Sequence, residues 1–211
     1  MKLLYSSRCL ALLVLSFAFG ASANATLVTF DDLGTDPSAI PSGYAGLKWD
    51  RFESVSDTYI SSNYGTNGYI NGTVSPLNVA FAGFDNPASF SIATGSFDFN
   101  STYLTASWNN GLNIEVDGFK SGVQLYAQTV TVNSFSPTFF AINYLGVDTV
   151  TFSSSGGVSA GYSGDPSGGL QFAMDNLTIN GVSPVPEPTT ALFGFALAGV
   201  VAMRRLRTVV A

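Results

Sequence analysis

Acidic side chains near both ends of residues 26–180 are the first candidates for chemistry. Asp31 and Asp32 follow an opening strand-like segment, and Asp175 interrupts an apolar segment close to residue 180. Calcium prefers sites made of oxygen ligands, among which carboxylates are prominent. Asp31, Asp32 and Asp175 are therefore a candidate calcium site that would join the first strand to the last. The alternative is that the Asp pair caps a turn and that Asp175 accepts hydrogen bonds from backbone amides.

A second candidate site combines aromatic and amide side chains. Tyr44, Trp49 and Trp108 could stack against a sugar ring, because aromatic faces offer rigid apolar contact. Asn109 and Asn110 directly follow Trp108 and would supply hydrogen bonds to the sugar hydroxyls. The alternative for Trp49 is a place in the core, since both of its neighbours are charged and one face of that strand must be buried. Trp108 has the same alternative.

The residue inventory excludes several kinds of enzyme. The chain has no His, and its one Cys, Cys9, lies in an N-terminal segment that we expect to be removed. Imidazole metal sites and disulfides are therefore excluded, and nucleophilic mechanisms lack their usual base. A glycan-cleaving enzyme that uses two carboxylates is the remaining catalytic alternative. Its candidate acids are Asp31, Asp32, Glu53, Glu115 and Asp117. No pair stands out among them, so we expect a protein without catalytic activity.

The charge balance narrows the range of ligands. Between residues 26 and 186 the chain has three basic and thirteen acidic side chains, a formal charge of −10. Nucleic-acid binding needs a basic surface, and other anionic polymers would also be repelled. Neutral glycans and cations remain as ligands, as does a purely structural role.

Residues 26–180 show the alternation of apolar and polar residues that is typical of strands, and no 3.6-residue apolar period occurs before residue 189. Closely spaced strands without helices between them predict an all-β fold, which we expect to be a jelly-roll-like antiparallel β-sandwich. Asn109–Gly111 predicts a hairpin turn, and a change of apolar phase predicts a β-bulge near Gln128 and Thr129. Residues 181–188 predict a linker stiffened by prolines.

The first 25 residues predict a signal peptide for the Sec export machinery. Lys2 and Arg8 form a basic region that precedes an apolar run, Cys9–Phe19. This run is too short to span a membrane as a helix. Small residues follow this run, and we place the cleavage site after Ala25, with Ala23 as the alternative.

The C-terminus combines three elements in a recognisable order. Val185, Pro186, Glu187 and Pro188 form a short stiff segment, and an apolar stretch without charges follows from residue 189 to residue 203. As a helix this stretch reaches about 22 Å, short of the ~30 Å hydrocarbon core, and basic residues at one end can offset part of the deficit. Those basic residues are Arg204, Arg205 and Arg207. We therefore predict a single transmembrane helix within residues 189–211, with the arginines in a cytoplasmic tail.

This arrangement, behind a signal peptide, resembles the PEP-CTERM protein-sorting signal over about the last 25 residues. The resemblance implies a Gram-negative bacterium that secretes exopolysaccharide, and an exosortase that cuts the chain near Pro186–Pro188. It also implies a membrane-anchored precursor that is delivered to the cell surface or the extracellular matrix. A plain membrane anchor at the C-terminus is the alternative.

Residues 26–180 also resemble exported PEP-CTERM proteins whose bodies are similar to galactose-binding-type jelly rolls and carbohydrate-binding modules. The matching pieces are Phe30–Leu33, Ile40–Leu47 with Trp49, Phe97–Phe99, Trp108–Leu112 and Phe172–Leu177. This resemblance implies a fold more than an activity. The PEP-CTERM-type tail that the C-terminal segment resembles is also labelled after ice-binding proteins that carry it, and that label implies nothing about residues 26–180. Ice binding is a remote alternative, because Thr129–Thr131 and Thr149–Thr151 belong to no regular repeat.

Overall fold

Alternating side chains build two antiparallel β-sheets that pack face to face. The structure, a computed structural model, describes residues 25–82, 87–164 and 169–180. Its strands are β1 (Thr26–Val28), β2 (Ser38–Ala39), β3 (Lys48–Asp50), β4 (Phe52–Ser56), β5 (Asn78–Ala82), β6 (Ala88–Ser91), β7 (Phe97–Ala106), β8 (Asn109–Lys120), β9 (Val123–Val132), β10 (Thr138–Val147), β11 (Thr149–Ser159) and β12 (Phe172–Ile179).

The larger sheet has the strand order β10, β7, β12, β5, β4, β2, and β1 pairs with the end of β12. The smaller sheet has the order β3, β6, β11, β8, β9. Every strand pair in the described residues is antiparallel. The predicted all-β antiparallel sandwich is therefore confirmed.

Phenylalanine dominates the core between the two sheets. The fully buried members of this set are Phe30, Phe52, Phe90, Phe97, Phe99, Phe152 and Phe172. Phe90 lies near their centre, with its ring centroid 5.6 Å from those of both Phe99 and Phe152. Aromatic rings in such edge-on and tilted contacts bury a large apolar area, so they supply much of the cohesion of the sandwich.

The chain turns sharply where it passes from one sheet to the other. Arg51 alone separates β3 from β4 and has a φ of 57°. Ser107 and Trp108 alone separate β7 from β8, which also lie in different sheets. The hairpin turn predicted at Asn109–Gly111 is therefore wrong. Those residues are the first of β8. The chain turns just before them, at Ser107 and the buried Trp108.

Two short helices follow β4, although the sequence pattern predicted none in this region. They are α1 (Asp57–Tyr64) and α2 (Gly68–Asn71). The Ser56 side chain caps α1 by accepting a hydrogen bond from the Tyr59 N–H. Helices this short cannot display a full apolar period, which explains why the pattern missed them. Neither of them, in the part of the chain that the structure describes, is long and apolar enough to cross a bilayer.

In the last strand, β12, an irregularity shifts the alternation of side chains between the two sides of the sheet. Leu177 belongs to the core between the sheets, whereas Ala173 packs in a second cluster, with residues of α1 and α2. Asn176 has a φ of 50°, and the pairing with β7 shifts beside it. This irregularity places Asp175 on the same side as Ala173, beside the helices.

The bulge predicted in β9 occurs, but earlier in the strand. The pairing of β9 with β8 shifts between Gln124 and Tyr126 rather than near Gln128 and Thr129. As a result Val123 and Leu125 are exposed, and the inward-facing residues are Val130 and Val132.

The ends of residues 26–180 lie side by side, because β1 pairs with β12 with Thr26 opposite Ile179. Apart from Ala25, the predicted signal peptide lies outside the described residues. The predicted linker, the transmembrane helix and all seven residues of the sorting signal also lie outside them.

Candidate ligand-binding site

A cavity of about 320 Å³ opens beside α1 and α2, at the outer face of the larger sheet. Residues from the sheet, both helices and the β7–β8 corner contribute to it. Its lining residues are Pro37, Glu53, Val55, Tyr59, Ile60, Tyr64, Tyr69, Phe81, Trp108, Gly164 and Gln171. Small-molecule sites usually have volumes of about 300–1,000 Å³ and mainly apolar and aromatic walls. The cavity therefore suits a ligand of roughly one ring.

Aromatic side chains form most of the cavity wall. Trp108 meets Tyr69 edge-on at a centroid distance of 5.8 Å and Tyr64 edge-on at 6.4 Å. Tyr69 in turn meets Phe81 edge-on at 5.3 Å. Trp108 is 3% exposed and Tyr64 is 42% exposed, so Trp108 lies at the base of the cavity and Tyr64 at its mouth.

Backbone hydrogen bonds hold the corner that carries Trp108. The Gly68 N–H donates to the Ser107 carbonyl (2.9 Å), the Ser107 N–H donates to the Gln171 carbonyl (3.0 Å), and the Ala160 N–H donates to the Trp108 carbonyl (2.9 Å). These bonds tie together α2, the corner and the segment before β12. The Tyr69, Trp108 and Gln171 side chains are therefore positioned by one connected piece of backbone.

Several polar atoms at this end of the sandwich lack a partner. The Trp108 indole nitrogen Nε1 and the Gln171 oxygen Oε1 are buried and make no hydrogen bond, and the same is true of the Ser107 hydroxyl. A buried polar atom without a partner costs about 1–3 kcal/mol. Such atoms are uncommon in folded proteins and call for an explanation. The Ser107 hydroxyl and the Trp108 indole lie near the Tyr69 hydroxyl, so Gln171 Oε1 is the atom for which an explanation is most needed.

Glu53 is the one acidic residue among the described residues that line the cavity, and none of them is basic. It lies on β4 opposite Phe81 of β5. Burial raises the pKa of the neighbouring Tyr69 well above its ordinary range, and the charge of Glu53 adds to the rise. The Ser107 hydroxyl and the Trp108 indole oppose this rise in pKa, although neither makes a hydrogen bond of regular geometry. Tyr69 is therefore a neutral phenol.

The predicted sugar platform is divided between two separate regions. Trp49 is 7% exposed in the core between the sheets, and its Nε1 donates to the Tyr44 carbonyl (3.0 Å). The Tyr44 hydroxyl is bound to the Asp32 carboxylate at 2.6 Å. Burial, followed by this hydrogen bond, raises the pKa of Tyr44 above its ordinary range. The structure therefore does not bring Tyr44 and Trp49 together with Trp108: Trp49 is buried and Tyr44 is half-buried against Phe30, in a different cluster from Trp108.

Asn109 and Asn110 also have structural positions rather than places in the cavity wall. The Asn110 side-chain oxygen accepts hydrogen bonds from the backbone N–H and the hydroxyl of Ser134, at 3.0 and 2.9 Å. Asn109 is 7% exposed and lies beneath Gly157, where an added Cβ would approach the Asn109 Cβ to 2.8 Å. Of the five residues predicted to bind sugar, Trp108 alone lines the cavity.

The three aspartates of the predicted calcium site do not form a metal-binding set. No group of three His, Cys, Asp or Glu residues in the described ranges could hold a metal ion. Asp175 accepts hydrogen bonds from the backbone N–H groups of Val74 (2.7 Å), Ser75 (2.9 Å) and Asn176 (2.7 Å). Asp31 accepts one from the Asn78 N–H (3.0 Å). The calcium prediction is therefore replaced by its alternative for Asp175, which accepts from backbone amides. Asp31 and Asp32 do not cap a turn as that alternative expected, because they bind Asn78 and Tyr44, far along the chain.

The carboxylates instead secure the segment that leads from α2 into β5. Asp175 and Asp31 bind the backbone at its two ends, at residues 74–75 and 78. Burial raises the pKa of Asp175 to about 6, while the Ser75, Val74 and Asn176 amides partly oppose this rise.

Sequence reasoning missed most of the residues that line the cavity. Tyr59, Tyr64 and Tyr69 recur at intervals of five residues in a segment rich in Ser, Asn and Gly. That spacing matches neither a strand nor a long helix, so it gave no structural prediction. Tyrosine repeated in a polar segment was nevertheless the available signal, because exposed loops seldom concentrate aromatic residues.

No protein-family model and no curated protein matches the chain. Among solved structures, the chain is similar to a DUF4465 family protein from Bacteroides ovatus, with 10% identity, a TM-score of 0.43, and coverage of 76% of this chain and 95% of that one. It is also similar to TmCBM61 in complex with β-1,4-galactotriose (11% identity, TM-score 0.32, coverage 66% and 93%). A CBM4 structure gives 12% identity, a TM-score of 0.27, and coverage of 79% and 92%. With TM-scores this low, none of these similarities carries an argument about function.

Proposed function

We propose that this chain is an exported, non-catalytic glycan-binding protein, whose jelly-roll-like domain holds a sugar ring in the cavity beside Trp108. The observation that carries the proposal is an aromatic cavity whose lining includes Gln171, with its side-chain oxygen Oε1 buried and without a hydrogen-bond partner. Aromatic rings stack on the apolar face of a sugar, while a donor and an acceptor bind its hydroxyls. The cavity offers both kinds of contact in one place.

A binding role accounts for the cavity better than a hydrolytic one. Glycoside hydrolysis generally uses two carboxyl groups about 5–10 Å apart. Glu53 is the single acid among the described lining residues, so these residues do not supply the second group. The rival function, a glycan-cleaving enzyme, would be indicated by reducing ends released from exopolysaccharide and lost on one Asp or Glu substitution.

The terminal signals suggest where such binding takes place. The predicted signal peptide and the PEP-CTERM-like segment support export through Sec, a membrane-anchored precursor, and cleavage by an exosortase near Pro186–Pro188. The released domain would then join the cell surface or the extracellular matrix, where exopolysaccharide is the expected ligand.

Tryptophan fluorescence provides a direct test, because the chain has two Trp residues and one of them lines the cavity. Trp49→Phe removes the background signal from the core. Titration of the full-length Trp49→Phe protein with exopolysaccharide fragments should change the emission of Trp108. Adding Tyr64→Ala should weaken binding about tenfold, the effect of losing one aromatic contact of about 1.4 kcal/mol.

Phe139→Ala is the matched control. Phe139 is also an exposed aromatic residue (54%), but it lies on β10, and its ring contacts Tyr103 rather than the cavity residues. We expect it to leave the affinity unchanged. Equal affinities for Tyr64→Ala and its parent, with intact binding, would place the ligand elsewhere on the protein.

A further inference from the structure

The carboxylate of Glu53 has no cationic partner in the described part of the chain. Arg51, two residues earlier, pairs with Asp50 at 3.7 Å and donates to the Pro87 carbonyl at 3.2 Å. Lys120 is bound to the Gly95 carbonyl through its Nζ (2.8 Å), and Lys48 lies on β3 in the smaller sheet. The cavity therefore has a negative charge that no side chain of the described residues neutralises.

The rings around this charge favour a cation as well. A cation over the face of an aromatic ring is attracted by the ring quadrupole, most strongly for Trp and next for Tyr. Tyr59, Tyr64, Tyr69 and Trp108 all line the cavity, and so does Glu53. The described lining residues thus combine aromatic rings with one carboxylate and no basic side chain, which disfavours anionic sugars and favours positively charged ones.

The Gln171 side chain distinguishes a sugar from a quaternary ammonium ion. Its oxygen Oε1 is buried without a partner and needs a donor. A quaternary ammonium group has no N–H to donate, whereas a hydroxylated ring can donate. We propose that the cavity selects a sugar residue that carries a protonated amino group, with the amine beside Glu53 and the ring against the aromatic wall. This inference rests on the glycan-binding function proposed above.

The test compares two ligands that differ at the nitrogen. Isothermal titration of the full-length protein would use glucosamine oligomers and N-acetylglucosamine oligomers of equal length, at a mildly acidic pH where the free amine is charged. We expect the glucosamine oligomer to bind roughly tenfold more tightly. Added salt should reduce this preference, because a charge interaction open to solvent is screened.

Substitution of Glu53 separates the charge from the rest of the site. Glu53→Gln keeps the size and polarity of the side chain, so we expect the two oligomers to bind this variant with equal affinity. Glu115→Gln is the matched control: Glu115 is an exposed glutamate on β8 of the smaller sheet. That variant should keep the tenfold preference.

The possible outcomes separate the two proposals. If both oligomers bind equally to the wild type and Tyr64→Ala weakens both, the glycan site stands and selection for an amine is refuted. Tighter binding of choline than of the glucosamine oligomer would overturn the assignment to a sugar. If neither oligomer binds and Trp108 emission does not respond to any glycan, the proposed function fails and the inference fails with it.

Discussion

Replacing Gly68 with alanine tests the packing that builds the cavity. Gly68 is the first residue of α2, at the point where this helix contacts the β7–β8 corner. An added Cβ would lie 1.8 Å from the Ala106 carbonyl oxygen and 2.7 Å from the Ser107 Cα. Because these are backbone atoms, they cannot rotate out of the way. We therefore expect α2 to move outward to relieve this overlap.

The size of the effect follows from the contacts that this movement changes. Overpacking of this kind costs about 1–3 kcal/mol. The hydrogen bond from the Gly68 N–H to the Ser107 carbonyl (2.9 Å) is also lost, at about 0.5–1.5 kcal/mol. The higher helix propensity of alanine offsets at most about 1 kcal/mol of this loss in the free energy of unfolding. The free energy of unfolding should therefore fall by roughly 2 kcal/mol.

Urea unfolding followed by far-UV circular dichroism measures this change, with Gly34→Ala as the matched control. Nothing lies within 4 Å of a Cβ built at Gly34, and its φ is not positive. The control should stay within about 0.5 kcal/mol of the wild type. Since α2 carries Tyr69, Gly68→Ala should also weaken sugar binding. A Gly68→Ala protein as stable as the wild type would refute the close approach of α2 to the corner.

Burial raises the pKa of Asp175 to about 6, so the folded state binds this proton more tightly than the unfolded chain. Stability should then fall as the pH rises from about 4 to about 6. Asp175→Asn should remove this decline, and urea unfolding at both pH values would check it; an unchanged slope would refute the assignment. Because backbone amides occupy the carboxylates of Asp31 and Asp175, calcium and a chelator should give the same thermal midpoint. A higher midpoint with calcium would contradict the hydrogen-bonded arrangement. Intact-mass analysis from an exosortase-bearing host should show cleavage near Ala25 and near Pro186–Pro188; a mature species that retains Met1 or Arg204 would refute the sorting proposal.

The β-sandwich could be predicted because a strand with one buried face shows a local alternation of apolar and polar residues. Trp49 lies between two charged residues, and the structure buries Trp49 while Lys48 and Asp50 are exposed. This follows from the two-residue period of a strand and from the need to bury one of its faces. The pairing of β1 with β12 also occurs, but the expectation that the first and last strands meet came from the resemblance to jelly rolls and not from the strand period.

The cavity could not be predicted because it depends on contacts between distant segments. Tyr64 and Tyr69 reach Trp108 through two helices with too few residues to show a periodic pattern. Gln171 joins them through a hydrogen bond from Ser107 to its carbonyl group. No local rule connects residues 64, 108 and 171, so sequence reasoning found Trp108 alone.

The position of Trp108 shows why the local signal and the structure disagree. Asn109–Gly111 has the composition of a hairpin turn, but a hairpin would pair β7 with β8 and keep both in one sheet. The observed corner sends β8 into the other sheet and buries the indole beside α1 and α2. There Trp108 meets the Tyr69 ring edge-on at 5.8 Å. The large aromatic area that this contact buries favours the corner over the hairpin. Conflicts between local preference and final structure are expected where a site has been built into a fold.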